Sequence, residues 1–114
     1  MVTLFGIKNC DTVKKARRWL ETENIEYQFH DFRIDGISAE QVATWLDATS
    51  LATLINKRST TWKALSDTDK DNINVDNAVS LILEHPTLIK RPLLAIGTEV
   101  HLGFNDKTYH TLFK

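Results

Sequence analysis

The spacing of apolar residues shifts repeatedly along this chain, and each shift marks an element. Val2-Thr3-Leu4-Phe5-Gly6-Ile7 is almost continuously apolar and β-prone, the pattern of a buried central strand. From Thr12 to Glu23, Val13, Ala16 and Leu20 recur on one helical face, with Lys14, Lys15, Arg17, Arg18 and Glu21 mostly on the other. Asn24 is a suitable helix stop. Tyr27 to Arg33 alternates polar and apolar residues and reads as a second strand. Strand, helix and strand of these lengths form a βαβ unit with parallel strands and a right-handed crossover.

The middle of the chain turns to helical spacing. Asp35-Gly36-Ile37-Ser38 reads as a turn, and Ser38 with Gln41 makes a weak capping box. Val42, Trp45 and Leu46 then place a helix over Glu40 to Ala48. Leu51, Leu54 and Ile55 suggest a further short helical piece running into Asn56-Lys57-Arg58-Ser59-Thr60-Thr61-Trp62. Ser66 to Asn74 is polar and reads as a loop or a frayed helix. Val75 to Glu84 is amphipathic through Ala78, Val79, Leu81 and Ile82, and Pro86 ends it.

Pro92 to Ile96 returns to a short apolar strand. Gly97-Thr98-Glu99 fits a tight turn, and Val100-His101-Leu102 fits the returning strand of a hairpin. Asn105 caps a last helix carrying Tyr109, His110 and Leu112. The sum is an α/β fold with a mixed sheet: β-α-β, a helical insertion at about residues 38–85, then β-β-α, in a single domain over residues 1–114.

Composition narrows the function classes. The chain has 114 residues, 42% of them hydrophobic and 25% charged, which suits one globular core. Its formal net charge of −1 provides no global drive toward nucleic acid or an anionic membrane. A single cysteine rules out an internal disulfide. No signal peptide or membrane span is expected, since the first strand is short and no apolar run nears the roughly 20 residues a span needs. A reducing cytoplasm is the expected compartment. His30, His85, His101 and His110 lack metal-ligand spacing with one another or with Cys10, so no metal site is expected.

Cys10 is the candidate for chemistry. It lies in Lys8-Asn9-Cys10-Asp11-Thr12, on the turn from the first strand into the first helix. Unpaired backbone N–H groups and the positive end of the helix dipole meet there and favour a thiolate, which is a nucleophile. Lys8, Lys14 and Lys15 add positive charge, and Asp11 opposes it. The competing reading is a buried thiol acting as a small hydrophobe; the turn position favours reactivity. Trp19, Trp45 and Trp62 read as packing residues, and the Lys14–Arg18 basic run as a solvated helix face.

Four segments in order carry a family resemblance: Lys8 to Ala16, Asn56-Lys57-Arg58, Ile89-Lys90-Arg91-Pro92-Leu93 and Leu102-Gly103-Phe104-Asn105. Over essentially the whole chain they resemble the arsenate reductase family of the glutaredoxin-coupled type, in its YffB-like branch, with the Spx-type transcription regulators as a sister branch. The resemblance implies a thioredoxin-like fold and a catalytic role for Cys10, which forms a mixed disulfide or adduct with a small oxyanion or disulfide substrate. Glutathione, as co-substrate, or a glutaredoxin then resolves it, with no bound cofactor. The resemblance also implies a cis bond at Arg91–Pro92. Proline forces the residue before it into an extended conformation, so Arg91 would aim a planar, permanently charged fork at an anion. Arg58 matches a second anion-binding arginine, with capping or a surface ion pair as the alternative. Lys8 and Asn9 are further candidates to line the anion site, although Asn9 also suits a purely turn-forming role.

Two departures matter. Arsenate reductases of this type use a third arginine in the terminal hairpin region, and none occurs from Leu93 to Lys114. That disfavours arsenate and leaves glutathione or a protein thiol. Spx-type regulators, which contact RNA polymerase rather than turn over substrate, commonly carry a Cys-x-x-Cys switch. Val13 takes the second position here, so an intramolecular dithiol cycle is impossible. The expected function is therefore a thiol oxidoreductase, with arsenate reduction proper and a polymerase-binding module as alternatives.

Overall fold

A computed structural model describes residues 1–114. Along the chain come β1 (Val2–Gly6), α1 (Asp11–Thr22), β2 (Gln28–Asp31), α2 (Ala39–Ala48), α3 (Leu51–Leu54), α4 (Thr60–Ala64), α5 (Asp67–Asn72), α6 (Val75–Glu84), a 3-10 turn at Pro86–Leu88, β3 (Leu93–Ile96), β4 (Glu99–Leu102) and α7 (Asp106–Phe113). These elements form two compact units, one of Met1–Asp35 with Arg91–Lys114 and one of Gly36–Lys90.

The first unit is built on a four-stranded sheet of order β2-β1-β3-β4. β1 pairs in parallel with β2, and β3 is antiparallel to both β1 and β4. The sheet is therefore mixed, and the thioredoxin-like order expected from the sequence is present. Leu4, Val13, Ala16, Leu20, Leu94 and Tyr109 form its fully buried core. Each large side chain buried there contributes roughly 1.5–3 kcal/mol. Trp19 and Phe104 meet the Tyr109 ring edge-on, at 5.5 and 4.7 Å between centroids. The Tyr109 hydroxyl is buried without a hydrogen-bond partner, and burial raises its ionisation above the ordinary tyrosine range. Period-two alternation turns Phe5 to the other sheet face, where it lies beside Phe32.

Local chemistry sets the boundaries of these elements. Asn24 takes φ 56°; Ile25 N–H donates to Leu20 C=O at 2.9 Å and Asn24 N–H to Glu21 C=O at 3.2 Å. This is the Schellman pairing that ends a helix. Gly97, at φ 59°, opens the two-residue turn between β3 and β4. Arg17 departs from the solvated face expected of the basic run. Its Nε donates to the Tyr27 hydroxyl at 3.1 Å, and its guanidinium lies 4.2 Å from the Phe29 ring centre. Helical spacing alone could not foresee that β2 would offer it two aromatic partners.

The second unit is helical. α2 packs on α6, and Val42 and Trp45 of α2 and Ala78 and Ile82 of α6 are buried. The Ser38–Gln41 capping box is complete: Gln41 N–H donates to Ser38 Oγ at 3.1 Å, and Ser38 N–H donates to Gln41 Oε1 at 2.9 Å. α4 was not expected, and α5 proves to be a helix rather than a loop. Each is too short for apolar periodicity to register, and each starts at a serine, Ser59 or Ser66, whose Oγ accepts an N–H three residues on. Ile55 leaves helical geometry to pair with Ile89. Asn56 N–H to Leu88 C=O and Lys90 N–H to Leu54 C=O, both 2.8 Å, reinforce that bridge.

Candidate active site

β1 and β2 end together, with Gly6 opposite Asp31. Gly6 is required by what lies above it. A Cβ there would stand 2.7 Å from Val13 Cγ2 and 3.3 Å from Cγ1, so glycine lets α1 approach the strand closely. The chain then turns through Ile7, Lys8 and Asn9, and Cys10 becomes the N-cap of α1 with φ −99° and ψ 124°. Its carbonyl accepts the first intrahelical bond, from Lys14 N–H at 3.0 Å. Its side chain makes no capping hydrogen bond. The sulfur therefore stands at a helix start whose first-turn N–H groups it does not engage as a cap, a setting suited to negative charge. Cys10 is half-buried and free, and its side chain packs against the sheet unit's core.

The cis Arg91–Pro92 bond lies at the same end of the sheet. β3 runs antiparallel to β1 with Leu93 opposite Phe5. Arg91 and Pro92 directly precede Leu93, at the end of the sheet from which β1 leads into the Cys10 turn. Pro92 is buried, its carbonyl accepts Gly103 N–H at 2.9 Å, and Arg91 is half-buried. Lys8 and Asn9 are exposed on the turn itself.

Arg58 belongs to the helical unit. Its backbone is anchored locally, through Asn56 and Ser59. Arg58 N–H donates to Asn56 Oδ1 at 3.0 Å, Ser59 Oγ donates to Asn56 C=O at 2.7 Å, and Ser59 Oγ accepts Trp62 N–H at 3.1 Å. Its exposed side chain thus leaves from a turn fixed on both sides. The neighbouring Lys57 ammonium sits over the Trp62 ring, 5.5 Å from its centre.

Asp31 was missed in the sequence. Its carboxylate is buried and accepts three backbone N–H groups, from Arg33 at 2.8 Å, Ile34 at 3.2 Å and Lys8 at 3.2 Å. Burial opposes its charge, but the N–H donors and the Lys8 ammonium outweigh burial and hold it below the usual carboxylate range. The one available signal was an acid among aromatic residues at a strand end, just ahead of Asp35-Gly36. No group of three or more His, Cys, Asp or Glu residues is placed to hold a metal ion, and no helix is long and apolar enough to cross a membrane.

A model described as the ArsC family matches residues 5–112. The chain belongs to the ArsC family. An uncharacterised protein of Haemophilus influenzae is 43% identical over 113 residues, 99% of either chain. A global transcriptional regulator Spx of Streptococcus mutans is 32% identical over 108 residues, covering 93% of this chain and 78% of that one. Among solved structures, a YFFB protein superposes with a TM-score of 0.95 at 35% identity, over 100% of both chains. An arsenate reductase (ArsC) related protein from Brucella melitensis gives a TM-score of 0.79 at 39% identity, over 99% of this chain and 94% of that one. The chain is thus similar both to proteins named for a reductase and to proteins named for transcriptional regulation, and family membership alone does not choose between them.

Proposed function

We propose that this ArsC-family chain is a thiol oxidoreductase whose nucleophile is Cys10 and whose reductant is glutathione, used directly or through a glutaredoxin. The observation that carries the reading is the placement of the chain's lone thiol at the start of α1, with its side chain uncommitted to capping. In the first step the Cys10 thiolate attacks one sulfur of a disulfide. An S–S bond forms to Cys10, the substrate S–S bond breaks, and the second substrate half leaves as a thiolate that takes a proton from water. In the second step a glutathione thiolate attacks the sulfur bonded to Cys10, forming a glutathione mixed disulfide and returning Cys10 as thiolate. A second glutathione reduces that product, so two glutathiones supply the two electrons. Arg91 binds the carboxylate of glutathione or of a similar anion, and Lys8 and Asn9 contribute from the thiol turn; Arg58 is proposed as an anion-binding residue of the helical unit. A reducing cytoplasm is the compartment that supplies such a thiol.

Val13 supports the reductase reading over the regulator alternative. It fills the position of a second switch cysteine, is fully buried, and packs on Gly6. The missing third arginine still weighs against arsenate as substrate.

The test is turnover of the mixed disulfide of glutathione and 2-mercaptoethanol, with glutathione reductase and NADPH reporting oxidised glutathione. The expected result is turnover by the native chain, background rate for Cys10→Ser, and for Arg91→Ala a raised KM at nearly unchanged kcat. A Cys10→Ser protein as active as the native one would overturn the reading.

A further inference from the structure

Asp31 is a buried acid at the thiol end of the sheet that no step above uses. It is 4% exposed, and its two carboxylate oxygens face different parts of the chain. Oδ1 accepts Arg33 and Ile34 N–H, closing the bend that ends its own strand. Oδ2 accepts Lys8 N–H at 3.2 Å, across 23 positions of sequence. Oδ1 alone suffices to close the local bend, so the second contact calls for a different explanation. Lys8 lies two residues before the nucleophile. Inside the turn, Cys10 N–H reaches Ile7 C=O only at 3.4 Å, beyond the usual hydrogen-bond range. The end of β2 is itself tied to β1, Phe32 N–H donating to Gly6 C=O at 2.8 Å, while Asp31 N–H donates on the loop side to Asp35 Oδ2 at 2.9 Å.

We propose that Asp31 is the positioning residue of the thiol turn, its Oδ2 holding the Lys8 N–H so that the turn delivers Cys10 to the start of α1 in one orientation. This inference rests on Cys10 being the nucleophile. It assigns the two oxygens separable tasks, which two substitutions can isolate. In Asp31→Asn the amide oxygen can keep Arg33 and Ile34, but the NH2 then faces the Lys8 N–H, donor against donor. Replacing the Ile7–Lys8 amide by an ester, accessible by semisynthesis, deletes the same contact from the other side and leaves the carboxylate in place. Asp35→Ala is the control, because it removes a neighbouring bond that does not reach the turn.

The readout is the second-order rate of Cys10 alkylation by iodoacetamide at pH 7, measured on the folded full chain, with urea unfolding in parallel. Alkylation requires no substrate and no turnover. The expected result is a native thiol faster than that of free glutathione, a loss of tenfold or more in both Asp31→Asn and the Lys8 ester, and a native rate in Asp35→Ala. If Asp31→Asn does not fold, the ester protein decides. A native thiol no faster than glutathione would remove the underlying reading of Cys10, and the inference with it. A fast native thiol together with unchanged rates in Asp31→Asn and the ester, whatever their unfolding midpoints, would reduce Asp31 to a residue that stabilises the fold and overturn the proposal alone.

Discussion

Within the two units of this chain, local and long-range interactions are balanced differently. In the sheet unit, the residues that matter meet across long stretches of sequence: Lys8 with Asp31, Arg17 with Tyr27 and Phe29, Pro92 with Gly103. In the helical unit, helix after helix begins at a serine or asparagine that caps it within three residues, as at Ser38, Ser50, Ser59, Ser66 and Asn74. Local caps specify where helices start and leave the surface free to vary. Cross-strand ties specify where one atom stands relative to another, which is what a nucleophile needs. The candidate nucleophile accordingly lies in the unit of long-range ties.

Three experiments press on this difference. The largest effect is expected at Gly6. Gly6→Ala pushes a methyl group into Val13, and overpacking of this kind costs about 1–3 kcal/mol. Urea unfolding should show that loss, and Gly6→Ala with Val13→Ala should lose less than the sum of the single changes, because the two side chains share one space. Strict additivity would mean that the contact is not the limit on α1.

A smaller effect is expected in the helical unit. Ser38→Ala removes one capping bond and costs about 1 kcal/mol. Removing Gln41 as well should add little, since the box is reciprocal. A penalty well above that figure would show that this cap carries tertiary weight and would blur the contrast.

The smallest effect concerns acid. Asp31 is held below the ordinary carboxylate range in the folded chain, so as pH falls the unfolded chain takes up the proton first. Its contribution is complete above about pH 4 and is lost as pH falls below that value. Unfolding measured at pH 6 and pH 3 should show a smaller acid loss for Asp31→Asn than for the native chain. Equal losses would mean that the buried carboxylate is no more stabilised in the folded chain than in the unfolded one.

Much of this was legible in the order of residues. Strands, the long helices α1, α2, α6 and α7, the Ser38 box and the Cys10 turn all follow from periodicity and cap chemistry, which act within one or two turns of chain. Even α4 and α5 were written locally, in Ser59 and Ser66, but in pieces too short for apolar spacing to mark. The packing of Arg17 was not legible, because it depends on Tyr27 and Phe29, whose positions follow from the fold.

By itself, then, the sequence determined the strands, the longer helices, their order and the place of the one cysteine at a helix start, since each of these depends on neighbours within a few positions. Only the tertiary structure decided that Asp31 reaches the turn carrying Cys10, that Gly6 must stay bare beneath Val13, and that β3 starts beside the end of β1. Those facts arise from strand register and helix approach, which set atoms from distant parts of the chain within 3 Å or so of one another. No local pattern encodes such a distance.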